Sequence, residues 1–407
     1  MNATNRFKLS TMFFLEYVIW GAWLPLLGTY LGNGYLKFTE FQQAMVFNAF
    51  AIASLIGMVF GGQLADRYFS QERFLAFSHL VGGLAVLGLT QVTSFGAFFT
   101  LMMVHCFFYV PTLSVTNAIA FANLQDSQKD FGFVRLWGTI GWIAAGWMFM
   151  LVPEGRLAGM FVIAGVASLV LSAFCLSLPH TPPAAKAGEG FAPLEAVKLL
   201  AIPSILVLFV VTFFDSLVHQ CHFFWSGRYF EALGLKQSYV PAAMSIGQVM
   251  EIVAMAMLGF VLKNLGWRKT LILGICSQAL RFGIYSVGRP ELLWLVIAIN
   301  LVHGFAYACF FATVYIYVDE HFPKDVRTSA QSLFNLLILG LGPFLGNFLC
   351  GWLGQVFSTE NAGEVMIRYN RLFLVPMGIA IFAAILLALF FHPAEKAKVE
   401  EPAPGGV

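Results

Sequence analysis

The sequence predicts an all-α polytopic membrane protein with twelve transmembrane helices in two pseudosymmetric six-helix bundles. Three observations predict it. The 407 residues are 59% hydrophobic and 11% charged, with mean hydropathy +0.78, whereas a soluble domain carries about 25% charged residues. Apolar runs of the roughly 20 residues needed to cross a bilayer recur along the whole chain. A charged loop pattern also returns after about half the chain. The net charge of +2 is too small to suggest nucleic-acid binding. Cys106, Cys175, Cys221, Cys276, Cys309 and Cys350 lie in or beside apolar runs without metal-ligand spacing, so they read as packing residues.

The spans read, in order, over 9–31, 42–62, 74–92, 96–122, 132–151, 158–178, 203–225, 240–262, 270–288, 291–318, 328–353 and 371–392. The first run is too long for a signal-peptide core and reads as a retained span. Residues 1–178 are expected to form the N-terminal six-helix bundle and 203–392 the C-terminal one. Between them, 179–202 reads as a cytoplasmic linker, marked by Pro182-Pro183, Ala184-Ala185, Gly188 and Gly190. The tail, 393–407, reads as disordered and cytoplasmic, with Pro393, Pro402, Pro404 and clustered Lys and Glu. With both termini placed in the cytoplasm, the inside segments hold twice as many Lys and Arg as the outside ones. Arg6, Lys8, Arg67, Arg73, Lys263, Arg268 and Lys269 are among them.

The repeated pattern starts at Gly62 and again at Gly259, 197 residues later. The first copy is Gly62-Gln63-Leu64-Ala65-Asp66-Arg67, followed by Arg73. The second runs from Gly259 through Lys263 and Gly266 to Arg268-Lys269. A glycine leaving a helix, followed by charges, suits a tight cytoplasmic turn. Two similar bundles related by pseudosymmetry rock about a site near the midplane, which suits a carrier better than a pore.

Polar groups within the spans are the candidate site, because lipid penalises them unless they face protein or water. In the fifth span Arg135, Thr139 and Trp142 follow i, i+4, i+7 spacing and share one helix face. That face offers a cation, a hydroxyl and an aromatic plate. Glu16 in the first span is a buried carboxyl able to carry a proton or to sit in an ion pair. Pro111-Thr112 and Thr116-Asn117 in the fourth span read as a kink and a polar helix contact. In the seventh span Asp215, His219 and His222 share a face, as a proton relay or a helix contact, and Gln220 brings both donor and acceptor. Gln248 and Glu251 in the eighth span suit a ring with mixed donors and acceptors, or sugar hydroxyls. Arg281 is expected to pair with a carboxylate of its own half. His303 and Tyr307 form a hydrogen-bonding and stacking face. Together these groups fit a neutral polar solute with a flat ring.

Several stretches carry a resemblance: Phe133 to Trp142, Tyr109-Val110-Pro111-Thr112-Leu113 with Asn117, Trp20-Gly21-Ala22-Trp23, and Met244-Ser245-Ile246-Gly247-Gln248 with Glu251. They resemble the bacterial nucleoside permeases, the nucleoside:proton symporter family of the major facilitator superfamily. The glycine-and-charge loops resemble that superfamily's gating-loop signature, although Phe69 stands where it usually has glycine. The resemblance implies the major facilitator fold and a nucleoside transporter of the bacterial inner membrane, working by alternating access as a proton symporter. It implies substrate-binding roles for Arg135, Thr139, Trp142, Gln220, Phe223, Gln248, Glu251, His303 and Tyr307, and a gating role for Asp66 and Arg67. Proton-coupling candidates are Glu16, Glu251, Asp215 and His219.

Two departures bear on coupling. The family places an aspartate after the second aromatic of the tenth span, where this chain has Ala308. It has glutamine where this chain has Glu16. Either the titrating carboxyl has moved between halves, or the protein is an uncoupled facilitator. A carrier of the same fold for another neutral polar solute, such as a sugar, nucleobase or drug, is the further alternative. An enzyme would need a nucleophile–base pair or a metal cluster, and Asp215, His219 and His222 are the nearest approach to one. The chain therefore reads as non-enzymatic, without a cofactor. It is expected to be a monomer whose partners are nucleoside, protons and membrane lipid, and no nucleic acid.

Overall fold

The computed structural model describes residues 3–32, 35–57, 70–124, 127–182, 198–321, 330–331, 333–361 and 364–393. Asp66 and Arg67, most of the expected linker and the tail from 394 onward lie outside the described residues.

The described chain is mostly helical. Its helical runs are α1 (Ala3–Leu31), α2 (Glu40–Ile56), α3 (Gln71–Gly88), α4 (Phe95–Asn123), α5 (Ser127–Phe149) and α6 (Gly159–Cys175). After residue 198 follow α7 (Pro203–Ala232), α8 (Val240–Val287), α9 (Pro290–His321), α10 (Leu333–Phe357) and α11 (Tyr369–Phe390). Among the described residues, 8 helices are long and apolar enough to cross a bilayer. The runs outside that set have local reasons. α6 is apolar but has 17 residues, and the described part of α2 also has 17. α5 carries Lys129, Asp130 and Arg135 in its first turns.

Local chemistry sets the helix ends. Thr39 caps α2 in a reciprocal box with Gln42, which meets two amides that a helix start leaves unpaired. Pro203 opens α7, where a missing N–H costs nothing. α8 is two helices joined at Gly266, whose φ of +71° turns the chain back. The expected break between the eighth and ninth spans therefore takes one residue instead of a loop. α9 is irregular, with a π-helical stretch at Tyr307–Ala312. A two-stranded antiparallel hairpin, β1 (Ser358–Asn361) with β2 (Glu364–Ile367), joins α10 to α11. The span pattern leaves 354–370 as a connection; the β-branched residues Thr359, Val365 and Ile367 suit a strand there.

α1 packs on α5, α6 and α7, and α3 packs on α4 and α6. In the later part α8 packs on α9 and α11, and α7 on α10 and α11. Two glycines bring helix backbones together beside the candidate site. A Cβ on Gly141 of α5 would lie 2.1 Å from the Phe14 carbonyl of α1, and one on Gly304 of α9 would lie 2.3 Å from the Glu251 amide. Any side chain at either position would push apart the helix pair that positions Arg135 or Glu251.

Ties between the two halves are strong at the end where α1 gives way to α2. Arg228 of α7 donates to both Glu40 carboxylate oxygens, at 2.8 and 3.0 Å, and to Gln43 at 2.9 Å. Nearer the middle, Asn347 donates to Asn48 at 2.9 Å, and Phe47 lies against Phe224.

Candidate solute-binding site

Arg135 is half-buried on α5. One guanidinium nitrogen donates to the Tyr17 hydroxyl at 2.8 Å, and its carbon lies 4.2 Å from the centre of the Tyr17 ring. Both contacts hold the cation with an aromatic partner and leave it without a carboxylate salt bridge among the described residues. One turn on, Thr139 is half-buried, and Trp142 after it is buried. The face expected from the spacing therefore turns inward.

Trp142 opens an aromatic row. It meets Trp20 edge-on at 5.3 Å, and Trp20 stacks on Phe50 at 4.7 Å. On its other side Trp142 meets Phe223 of α7 at 6.2 Å. The row thus crosses from the first half of the chain to the second. Its faces match a planar ring, with stacking worth about 0.5–1.5 kcal/mol beyond burial.

The second half adds polar groups. Gln248 of α8 is buried, and its side-chain oxygen has no partner among the described residues. Glu251 follows three residues later, half-buried, and its charge interacts with that of Arg135. Tyr307 of α9 lies within electrostatic reach of both Glu251 and Arg135. Gln248 and Glu251 do not satisfy each other, so an acceptor and a carboxylate stand ready for a ligand. Gln220 is half-buried with its stem against Gly346 of α10.

Two expectations are corrected here. Arg281 makes no salt bridge to a carboxylate among the described residues, although Asp215 lies within its electrostatic reach. It donates to Gln278 and, at 2.7 Å, to the His303 Nδ1, while both Asp215 oxygens lack a hydrogen bond among the described residues. The Gln278 side-chain oxygen takes the Arg281 guanidinium instead. Asp215, His219 and His222 do not form a continuous relay either. His219 meets Gln278 at 3.4 Å and His222 meets Ser226 at 2.8 Å. A shared helix face brought the three together without bonding them. His303, expected with Tyr307 to form a hydrogen-bonding and stacking face, is buried and accepts from Arg281 at one ring nitrogen. Its ring stacks on His219 at 5.2 Å and meets the aromatic row at Phe223, at 6.0 Å.

Two groups were missed. Tyr17, which holds Arg135, reads in a sequence as another aromatic in an apolar helix. His79 of α3 bonds Glu16 at 2.8 Å; a histidine in an apolar run was the available signal. Glu16 itself is fully buried, as expected.

Against this geometry the comparisons are decisive. A family model described as nucleoside H+ symporter matches residues 1–396. The chain belongs to the nucleoside–proton symporter family. Within that family it is 32% identical to the putative nucleoside transporter YegT of Escherichia coli K12, over 95% of this chain and 94% of YegT. It is 29% identical to the xanthosine permease of the same organism, over 96% and 97%. The crystal structure of the nucleoside transporter NupG superposes with TM-score 0.85 at 26% identity, covering 96% of this chain and 99% of NupG. A D-xylose–proton symporter shares the fold at TM-score 0.73 and 13% identity. The family member described here is thus an integral membrane protein with the fold of major facilitator transporters.

Proposed function

We propose that this chain carries nucleosides across the bacterial inner membrane together with protons, by alternating access between two six-helix bundles. Family membership supports the substrate class and the coupling ion. Counting the two arms of α8 separately, and adding α2, α5 and α6, brings the membrane crossings to twelve, split by the segment around 179–202. With both termini in the cytoplasm, the end tied by Arg228 and Glu40 faces outward and is closed.

The observation that carries the reading is the meeting of Arg135, Glu251 and Tyr307 in one electrostatic neighbourhood, beside an aromatic row that spans both halves. In this reading the base stacks within the row of Trp20, Trp142 and Phe223. Arg135, Gln248 and Glu251 bond its edge and the ribose hydroxyls, with Thr139, Gln220, Tyr307 and His303 around them. Rocking of the bundles exposes these groups to one side at a time.

The test is uptake of labelled uridine into proteoliposomes, with and without an inward proton gradient. Unlabelled nucleosides should compete, and sugars and free bases should not. Competition by a sugar or a free base in place of nucleosides would reject the substrate. Ala308, whose carbonyl accepts from Thr313 at 3.0 Å, gives that position no carboxylate and keeps an uncoupled facilitator in play. Uptake that equilibrates without responding to the gradient would establish that second reading.

A further inference from the structure

We propose that Glu16 of α1 and His79 of α3 together bind the transported proton, at a site in the first half of the chain separate from the nucleoside groups. The proposal rests on the symport reading above. It follows from counting hydrogen-bond donors in a fully enclosed cluster.

Glu16 is 0% exposed and His79 is 1% exposed. Ser168 of α6 lies 2.9 Å from the His79 backbone carbonyl, which only accepts, so the serine proton goes there. Ser168 Oγ is also 3.2 Å from His79 Nδ1, and must then accept from an Nδ1–H. A neutral imidazole with its proton on Nδ1 has a bare lone pair on Nε2. That Nε2 lies 2.8 Å from Glu16 Oε2. The contact is a bond only when one further proton sits in it, as a carboxylic acid beside imidazole or a carboxylate beside imidazolium. Either way the pair is neutral when loaded. When the proton leaves, two lone pairs face each other and a buried charge is left uncompensated, so the contact must open.

The surroundings serve both states. Thr112 of α4 lies 2.6 Å from Glu16 Oε1 and also reaches the Tyr109 carbonyl. Its hydroxyl donates to Oε1 of the carboxylate, or turns to the Tyr109 carbonyl when the shared proton at Oε2 makes Oε1 a weaker acceptor. The other titratable or charged groups facing the pair are Tyr17 of α1, His105, Cys106 and Tyr109 of α4, Arg135 of α5 and Cys175 of α6. His105 donates from Nδ1 to the Gly82 carbonyl and stacks on Tyr109. Tyr109 donates to the Glu16 backbone carbonyl at 2.8 Å. Cys175 lies within electrostatic reach of Glu16, and so does Tyr17. Arg135 is held by Tyr17 at 2.8 Å.

The route to the nucleoside site is short. Tyr17, the next residue after Glu16, holds Arg135, and Trp20, one turn further, is in the aromatic row. Opening the Glu16–His79 contact frees α1 from α3 at the residue that precedes Tyr17. The proton on Glu16–His79 thereby sets how α1 presents Tyr17 and Trp20. In each cycle one proton enters the Nε2–Oε2 contact from one side of the membrane and leaves to the other with one nucleoside.

The test compares two modes of transport in proteoliposomes. Gradient-driven accumulation needs the proton, while exchange of labelled for unlabelled nucleoside across a loaded membrane does not. A one-unit pH gradient at one proton per nucleoside drives about tenfold accumulation in the wild type. Glu16→Gln should exchange nucleoside but accumulate none above equilibrium. Thr112→Val, which removes only the hydroxyl, should shift the pH at which accumulation is half-maximal while exchange is unchanged. Normal accumulation by Glu16→Gln overturns the proposal. If Glu16→Gln cannot be purified folded, Thr112→Val decides, and an unmoved pH profile overturns it. Failure of the wild type to exchange any nucleoside would instead reject the function on which the proposal stands.

Discussion

Each half of the chain buries an ionisable cluster, and the two are built differently. In the first half the Glu16 and His79 side chains are completed. Thr112 meets one carboxyl oxygen, His79 the other, and Ser168 the second ring nitrogen. In the second half Arg281, equally buried, donates to Gln278 and His303. Its Nε and both Asp215 oxygens have no partner among the described residues. Leaving a buried polar group unmet costs about 1–3 kcal/mol. The saturated cluster has one place for one proton and little freedom besides. The unsaturated one holds a cation among neutral rings, with polar capacity to spare beside the aromatic row. A discrete proton site and a tolerant polar wall are different structures, and the difference shows in which atoms go unpaired.

The largest effect should come from breaking the second cluster. Arg281→Met removes a buried guanidinium and its two charge-assisted hydrogen bonds, to Gln278 and His303, and should cost about 3–6 kcal/mol of stability, read as a lower unfolding temperature in detergent. Adding Asp215→Asn should restore part of it. An unchanged unfolding temperature would mean that the second cluster is no charge network. Next, Arg135→Gln should weaken nucleoside binding by about 1.5–3 kcal/mol, or roughly 10- to 100-fold in a titration, while leaving Glu16–His79 intact. The smallest effect belongs to Tyr17→Phe. It removes one hydrogen bond, about 0.5–1.5 kcal/mol, but keeps the ring under the guanidinium, so binding should weaken only a few-fold. A Tyr17→Phe effect as large as that of Arg135→Gln would show that the hydroxyl, and not the cation, reads the solute.

Much of this was legible because lipid punishes charge. Arg135, Glu16 and Glu251 stand out in apolar runs on that ground alone, and the structure turns all three inward. The pairing partners were less legible. Glu16 and His79 are 63 positions apart, and nothing local says that α1 packs near α3 at that depth. Asp215, His219 and His222 show the opposite failure. Helical spacing put them on one face, but Gln278 from another helix meets His219 and Ser226 meets His222. Gly266 was visible as a break, though not as a one-residue one. The hairpin at 358–367 was hidden because short strands leave too few residues for alternation to show.

The Arg228–Glu40 clasp has a kinetic meaning. It spans parts of the protein that must separate once per transport cycle if access alternates, and Arg228 and Glu40 keep 8% and 13% exposure. Sealed from water, such a tether would open too slowly for useful turnover; fully wetted, it would hardly hold. Partial wetting places its release between those limits, so in such a cycle the clasp would govern how fast the protein turns over.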